Sequence, residues 1–242
     1  MCCRVAQGSA KDKAKKKVKA NGAVPSVASR LNLAPTQEAL VVVNDSGDTR
    51  LEAMRWGLIP PWAKDKSIGA KLANARAETI DEKPSFRNPF QRRRCLLPVD
   101  GYYEWETQPS GKQPVYYSMR DRDLFCLAGL WETWTAPEQV VEPELPGLGL
   151  GQPEAETLHT FTVITTTPNR LAKRVHDRMP VILHPDDYDQ WLSPESQAAD
   201  LKLLLRPFDA EPMREHYVTP LMNNPRFEAP ECVQPVAPWF WL

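Results

Sequence analysis

The 242-residue chain has no uninterrupted apolar run approaching the ~20 residues of a membrane-spanning helix, which excludes a transmembrane protein of that kind. Its first stretch, Met1 to Val24, is polar and lysine-rich and lacks the apolar segment of a secretory signal peptide. The five cysteines, Cys2, Cys3, Cys95, Cys126 and Cys232, form no CxxC pair and no even framework. That pattern fits reduced thiols in a cytoplasm better than a disulfide scaffold or a zinc site. Glycine is scarce at 11 residues against 24 prolines, and there is no internal repeat, so collagen-like and coiled-coil architectures are excluded. What remains, 42% hydrophobic and 25% charged residues, is a globular composition long enough for a single α+β unit.

The formal net charge of −1 hides an asymmetry. The first 100 residues carry 19 basic against 10 acidic side chains, and the rest carry 11 against 21. A basic first half suggests a polyanionic partner such as nucleic acid, unless folding interleaves the two halves.

Along the chain, Lys11 to Lys19 reads as a solvated loop or weak helix. Leu40-Val-Val-Val43, the turn signal Asn44-Asp-Ser-Gly47 and Leu51 to Leu58 predict a β-hairpin, stopped by Pro60-Pro61. Pro84 to Arg94 reads as a short helix. Strands follow at Cys95–Val99, Tyr102–Glu106, Val115–Met119, Leu124–Trp134 and Phe161–Thr167, with a further one at Pro180–Leu183. Short strands joined by tight turns predict an antiparallel, barrel-like sheet. Residues 137–157, rich in Pro, Glu and Gly, read as a surface insertion within one domain. Pro168–Val175, Pro185–Leu192 and Pro194–Leu205 are expected to be helical.

Four places could carry chemistry. Methionine aminopeptidase trims Met before a small residue, so the mature chain would begin at Cys2. Cys2 would then hold an α-amine (ordinary pKa ~7.7–8.0) and a thiol (~8.5) as a 1,2-aminothiol. An aldehyde can form an imine with the amine, and the thiol can close a five-membered thiazolidine. In Ala73-Asn-Ala-Arg-Ala-Glu-Thr79, period-two spacing puts Asn74, Arg76 and Glu78 on one face of an extended segment. Glu104, among the aromatics of Asp100-Gly-Tyr-Tyr-Glu-Trp105, has apolar neighbours that raise a carboxyl pKa and suit it to acid/base work. His176, in Val175-His-Asp-Arg-Met-Pro180, stands at an expected helix-to-strand junction.

Together these segments resemble the SOS-response-associated peptidase (SRAP) family of abasic-site shielding proteins. The matching pieces are Met-Cys followed by Arg4, Asn32-Leu-Ala-Pro-Thr36, Met54-Arg-Trp-Gly-Leu-Ile-Pro60, Asn74-Ala-Arg-Ala-Glu-Thr79 and Gly101-Tyr-Tyr-Glu-Trp105. Ile164-Thr-Thr-Thr-Pro168, His176-Asp-Arg-Met-Pro180, Asn223-Asn-Pro225 and Val233-Gln-Pro-Val236 complete them. The chain departs from the family at Cys3, where Gly is usual, and at the lysine-rich stretch.

The resemblance implies an α+β fold, an antiparallel barrel-like sheet flanked by helices in one domain over 1–236, with 237–242 as a tail. It implies a DNA-damage protein that binds abasic sites in single-stranded DNA and links to them covalently through Cys2. Glu104 and His176 match the family's acid/base pair, and Asn74 would hold the amine. Arg4 and Arg76 match phosphate-gripping positions, Trp62 with Met179 an apolar surface for bases, and Thr165 and Arg178 further DNA contacts. No cofactor or metal is implied, no membrane partner, and a cytoplasmic or nucleoid location; replication-fork proteins are compatible partners. The same Cys, Asn, Glu and His could instead build a thiol peptidase that removes its own Met1, and the sequence leaves both uses of Cys2 open.

Overall fold

A computed structural model describes residues 3–45, 47–109, 111–137 and 155–236. The first half contains β1 (Val5–Gln7), α1 (Ala10–Lys17), β2 (Arg30–Leu33), β3 (Glu38–Asp45), β4 (Asp48–Trp56), β5 (Asn74–Arg76), α2 (Arg87–Arg92) and β6 (Arg94–Val99). The second contains β7 (Gly101–Gln108), β8 (Gly111–Met119), β9 (Phe125–Thr135), β10 (Thr157–Thr166), β11 (Met179–Pro180), β12 (Ile182–Leu183), α3 (Tyr188–Leu192), α4 (Ala198–Leu204) and β13 (Met213–Tyr217).

Five strands close on themselves in the order β10, β4, β3, β6, β9 and back to β10. The expected hairpin is the β3–β4 pair, in register from Glu38 opposite Arg55 to Asp45 opposite Asp48. Three of the other four pairings are antiparallel too. The exception is β10, which runs parallel to β4 at Thr160 and Phe161 and then parallel to β5, where Val163 faces Asn74. A second, wholly antiparallel sheet has the order β13, β8, β7, β1, β2.

The unbroken apolar run at Leu40 to Val43 follows from burial on both faces of β3. Leu40 and Val42 join a core with Ala14 and Val18 of the α1 segment, Phe90 of α2 and Trp191 of α3. Val41 and Val43 point the other way, into a core shared with Val5, Tyr102, Val115 and Tyr117 of the second sheet. The lysine-rich stretch is thus a helix, because buried Ala14 and Val18 anchor it while Lys13 and Lys16 face solvent.

Gly57, at φ +116° after β4, would place a Cβ 2.5 Å from the carbonyl oxygen of Gly69. Only a glycine allows the 66–72 turn to approach β4 so closely, and that turn leads directly into β5. Gly101 likewise leaves room for the Tyr116 ring, which a Cβ would meet at 2.3 Å.

Two helix expectations are corrected. Pro168–Val175 holds only the 3₁₀ turn Ala172–Arg174, because Asn169 Oδ1 accepts from the Leu171 and Ala172 N–H groups at 3.1 and 2.9 Å and curls the chain instead. The helix expected from Pro194 begins only at Ala198, after a turn in which Glu195 N–H bonds to Ser193 Oγ. Most of the expected 137–157 insertion, residues 138–154, and the 237–242 tail lie outside the described residues.

Candidate functional site

Cys2 lies outside the described residues; Cys3, its neighbour in the chain, lines a cleft of about 390 Å³ with Arg4, Glu104, Trp105, Lys112, His176 and Asn223. Three separate stretches of sequence that each offered one weak signal therefore meet in one place.

Glu104 sits in the middle of β7, where the stacked pair Tyr102 and Tyr117, 4.9 Å between centroids, packs the same face of the sheet. It is 2% exposed, and burial raises its carboxyl from 4.5 to about 7, with the charge of Asp177 adding to the effect. Such a group holds a proton about half the time near pH 7, the condition that suits transfer in either direction.

His176 follows the 3₁₀ turn. Burial lowers its pKa, and the charges of Lys112 and Arg178 act in the same direction against Asp177. With Nδ1 unprotonated, the ring accepts the Arg178 N–H, 3.0 Å away. Asp177 Oδ1 lies 2.8 Å from the same Nδ1 and becomes its partner when the ring gains a second proton.

Asn74 begins β5, held by Val163 N–H bonding to Ala73 O at 3.1 Å and by Trp56 Nε1 bonding to the same oxygen at 2.9 Å. Its Nδ2 donates to Cys3 Sγ at 3.5 Å. Its Oδ1 is buried with no hydrogen-bond partner among the described residues, an acceptor that a bound donor can satisfy. Burial pushes the Cys3 thiol up, so it stays protonated near neutral pH and is a poor nucleophile.

The residues expected to touch DNA divide. Arg76 is exposed, and Trp62 is 59% exposed on a second cleft beside Lys64, Ile68 and Lys71. Four others are buried or bonded within the fold. Met179 is fully buried in β11, its sulfur accepting the Asn169 N–H, and it offers no face to a base. Thr165 is fully buried in β10, its hydroxyl bonded to Ala75 O at 3.4 Å. Arg178 forks onto Glu78 at 2.6 and 2.9 Å and bonds the Thr165 carbonyl. Arg4 bonds Asn32 Oδ1 at 2.6 Å and Met222 O at 3.0 Å, with its guanidinium 5.6 Å from the centre of the Trp105 ring. Buried Asn32 in turn donates to the Met222, Asn224 and Phe227 carbonyls, so Arg4 docks the C-terminal segment onto β1.

Three lining residues were not singled out from the sequence. Trp105 and Asn223 were inside quoted motifs, and they bond to each other, Nε1 to Oδ1 at 2.6 Å. Lys112 carried no signal, being one more lysine at a turn. Among the described residues, no group of three His, Cys, Asp or Glu could hold a metal ion, and no helix is long and apolar enough to cross a membrane.

A closed mixed barrel is backed by an antiparallel sheet, with a carboxylic acid, an imidazole and an amide gathered beside Cys3. The chain belongs to the SOS response associated peptidase (SRAP) family, whose model matches residues 1–225. It is 44% identical over 205 residues to the abasic site processing protein YoqW of Bacillus subtilis (strain 168), covering 84% of each chain. It is 33% identical over 212 residues to the abasic site processing protein HMCES of Xenopus tropicalis, covering 78% of this chain and 58% of that one. Among solved structures, a protein from Bacteroides thetaiotaomicron superposes with a TM-score of 0.79 at 27% identity, over 98% of this chain and 100% of that one.

Proposed function

We propose that the protein is a DNA-damage factor that binds abasic sites in single-stranded DNA and captures them covalently through Cys2. The observation that carries this reading is the single cleft that holds Cys3, Glu104 and His176, with Asn74 bonded to Cys3. The abasic site processing proteins among its relatives support the same substrate.

In this reading Met1 is removed, and Cys2 presents an amine and a thiol to the lesion. The abasic sugar rests mostly as a closed hemiacetal. Glu104, poised near pH 7, delivers a proton to the ring oxygen as the aldehyde opens. The amine adds to the aldehyde and water leaves, giving an imine, and the Cys2 thiol then adds across the imine to close the thiazolidine. His176, neutral near pH 7, takes up and returns protons during these additions. Asn74 Oδ1 accepts a hydrogen bond from the amine and holds it in attacking geometry. Exposed Arg76 supplies a phosphate contact and Trp62 a stacking surface.

The domain spans 1–236, and it works in the cytoplasm or at the nucleoid. Removal of Met1 by the protein's own thiol is a second reading, favoured by the family's description as peptidase. Burial pushes the Cys3 thiol up, which supports Cys2 rather than Cys3 as the nucleophile in either reading.

The deciding experiment mixes the protein with a single-stranded oligonucleotide carrying one abasic site and resolves the products on a denaturing gel. A denaturation-resistant band that needs both the abasic site and Cys2 is expected. No band with the abasic strand, alongside cleavage of a Met-Cys peptide, would favour the peptidase reading instead.

A further inference from the structure

Between the end of β10 at Thr166 and the start of β11 at Met179, the only regular piece is the 3₁₀ turn Ala172–Arg174. His176 hangs from that turn, its N–H bonded to Ala172 O at 3.0 Å. Glu104, by contrast, is fixed in the middle of β7. Whatever sets the distance between these two groups must tie an irregular segment to a sheet.

Arg174 makes that connection. Its Nη1 donates to Glu106 Oε1 at 2.5 Å, on β7 and two residues beyond Glu104. Its Nη2 and Nε donate to Glu215 Oε1 at 2.6 and 3.1 Å, on β13. The guanidinium also lies 5.9 Å from the centre of the Tyr217 ring. Tyr217 OH closes the circuit with a bond to Glu106 Oε2 at 2.6 Å, and Gln108 Nε2 adds another to the same oxygen at 2.9 Å. Residues two apart on a strand share a face, so Glu106 stands on the Glu104 side of β7.

An ordinary surface ion pair is worth little and fixes little. This one differs in geometry, because a planar guanidinium bonded to two carboxylates on separate strands has few orientations left. Both carboxylate side chains are only 20% exposed. Burial alone would raise the Glu106 carboxyl, yet the bonds from Tyr217 and Gln108 and the charge of Arg174 bring it below its ordinary value. The segment has two further side-chain anchors, Asn169 Nδ2 on Phe208 O at 2.8 Å and Arg178 on Glu78 and the Thr165 carbonyl, but it is Arg174 that ties it to β7, the strand that carries Glu104.

We propose that Arg174 is a positioning residue: its paired bonds to Glu106 and Glu215 hold the His176 turn against the second sheet and so set His176 relative to Glu104. This rests on the proposed reading in which those two groups move protons at the lesion. A misplacement of about 1 Å in such a pair can cost about 100-fold in rate.

The test uses the full chain with Arg174→Met, which keeps the stem, and Glu106→Gln, which removes the other half of the pair. Four readouts are compared: thermal midpoint, affinity for a single strand bearing an unreactive tetrahydrofuran site, the His176 ring resonances in DNA-free protein, and the crosslinking rate. Arg174→Met is expected to leave folding and tetrahydrofuran-site affinity intact, broaden or shift the His176 ring signals, and slow crosslinking roughly 10-fold. Glu106→Gln should do the same to a smaller degree, and Arg174→Lys should recover part of the rate. In a His176→Ala background Arg174→Met should cost nothing further. An equal loss in both backgrounds would overturn the proposal, as would a drop in tetrahydrofuran-site affinity matching the loss of rate, which would mark Arg174 as a phosphate contact. A wild-type protein that forms no crosslink defeats the proposed function instead, and the ring signals then decide the tether alone: unchanged signals in Arg174→Met overturn it.

Discussion

Asn74 Nδ2 donates to Cys3 Sγ at 3.5 Å, joining residues 71 positions apart in the chain. That single contact brings the start of β5 to the Cys3 thiol. It also makes Cys3, rather than the glycine usual at this position, the neighbour of the amide that is to hold the Cys2 amine.

The Cys2 amine is expected to be indispensable. Cys2→Ala should abolish the denaturation-resistant product because no thiol closes the ring, and an uncleaved N-terminal tag should abolish it because an amide nitrogen cannot form an imine. Cys2→Ser should still give a slower product that borohydride traps. A tagged protein that crosslinks at full rate would exclude the thiazolidine route.

Cys3 is expected to be dispensable. Its buried thiol is protonated near neutral pH and lacks an adjacent amine, so Cys3→Gly should keep the crosslinking rate within about threefold of wild type. Mass spectrometry of the digested adduct should find the sugar remnant on Cys2; a remnant on Cys3 with Cys2 unmodified would reverse the assignment.

Glu104 links activity to stability. Its folded value, about 7, lies above the ordinary 4.5, so the folded state holds this proton more tightly than the unfolded chain. The stability it contributes is complete below about pH 4.5 and is lost as pH rises through about 7. Glu104→Gln should therefore match wild type in thermal midpoint near pH 4 and exceed it by roughly 5–15 °C at pH 8. The same variant should crosslink at least about 100-fold more slowly. Equal midpoint differences at both pH values, measured by calorimetry, would mean that the carboxylate is not buried at a cost.

Arg4 and Arg76 should separate cleanly. Arg4→Ala breaks bonds to Asn32 and Met222 and should lower stability by about 1–3 kcal/mol. Arg76→Ala should leave stability alone, weaken single-strand binding and flatten its salt dependence by about 0.7 in the log–log slope. Fluorescence anisotropy across a salt series, paired with thermal melts, distinguishes the two; a salt slope altered by Arg4→Ala as much as by Arg76→Ala would return Arg4 to the DNA surface.

Local pattern alone determined a good part of this protein. The hairpin around Asn44 to Gly47, the strand run from β6 to β9 and the aromatic setting of Glu104 depend on neighbours in sequence, where turn chemistry and alternation act directly. The order of the short motifs was enough to point to the family. Tertiary structure decided what those patterns could not contain. Thr165 and Met179 sit in two motifs that read as functional, yet the return of β11 against β10 buries both. Arg4 reads as a phosphate ligand, and only the fold shows its bond to the C-terminal segment, more than two hundred residues away. Lys112 reaches the cleft only because β8 pairs with the strand that carries Glu104. In each case the deciding contact is between residues distant in sequence, and burial and charge depend on what the closed barrel brings alongside rather than on what precedes or follows in the chain.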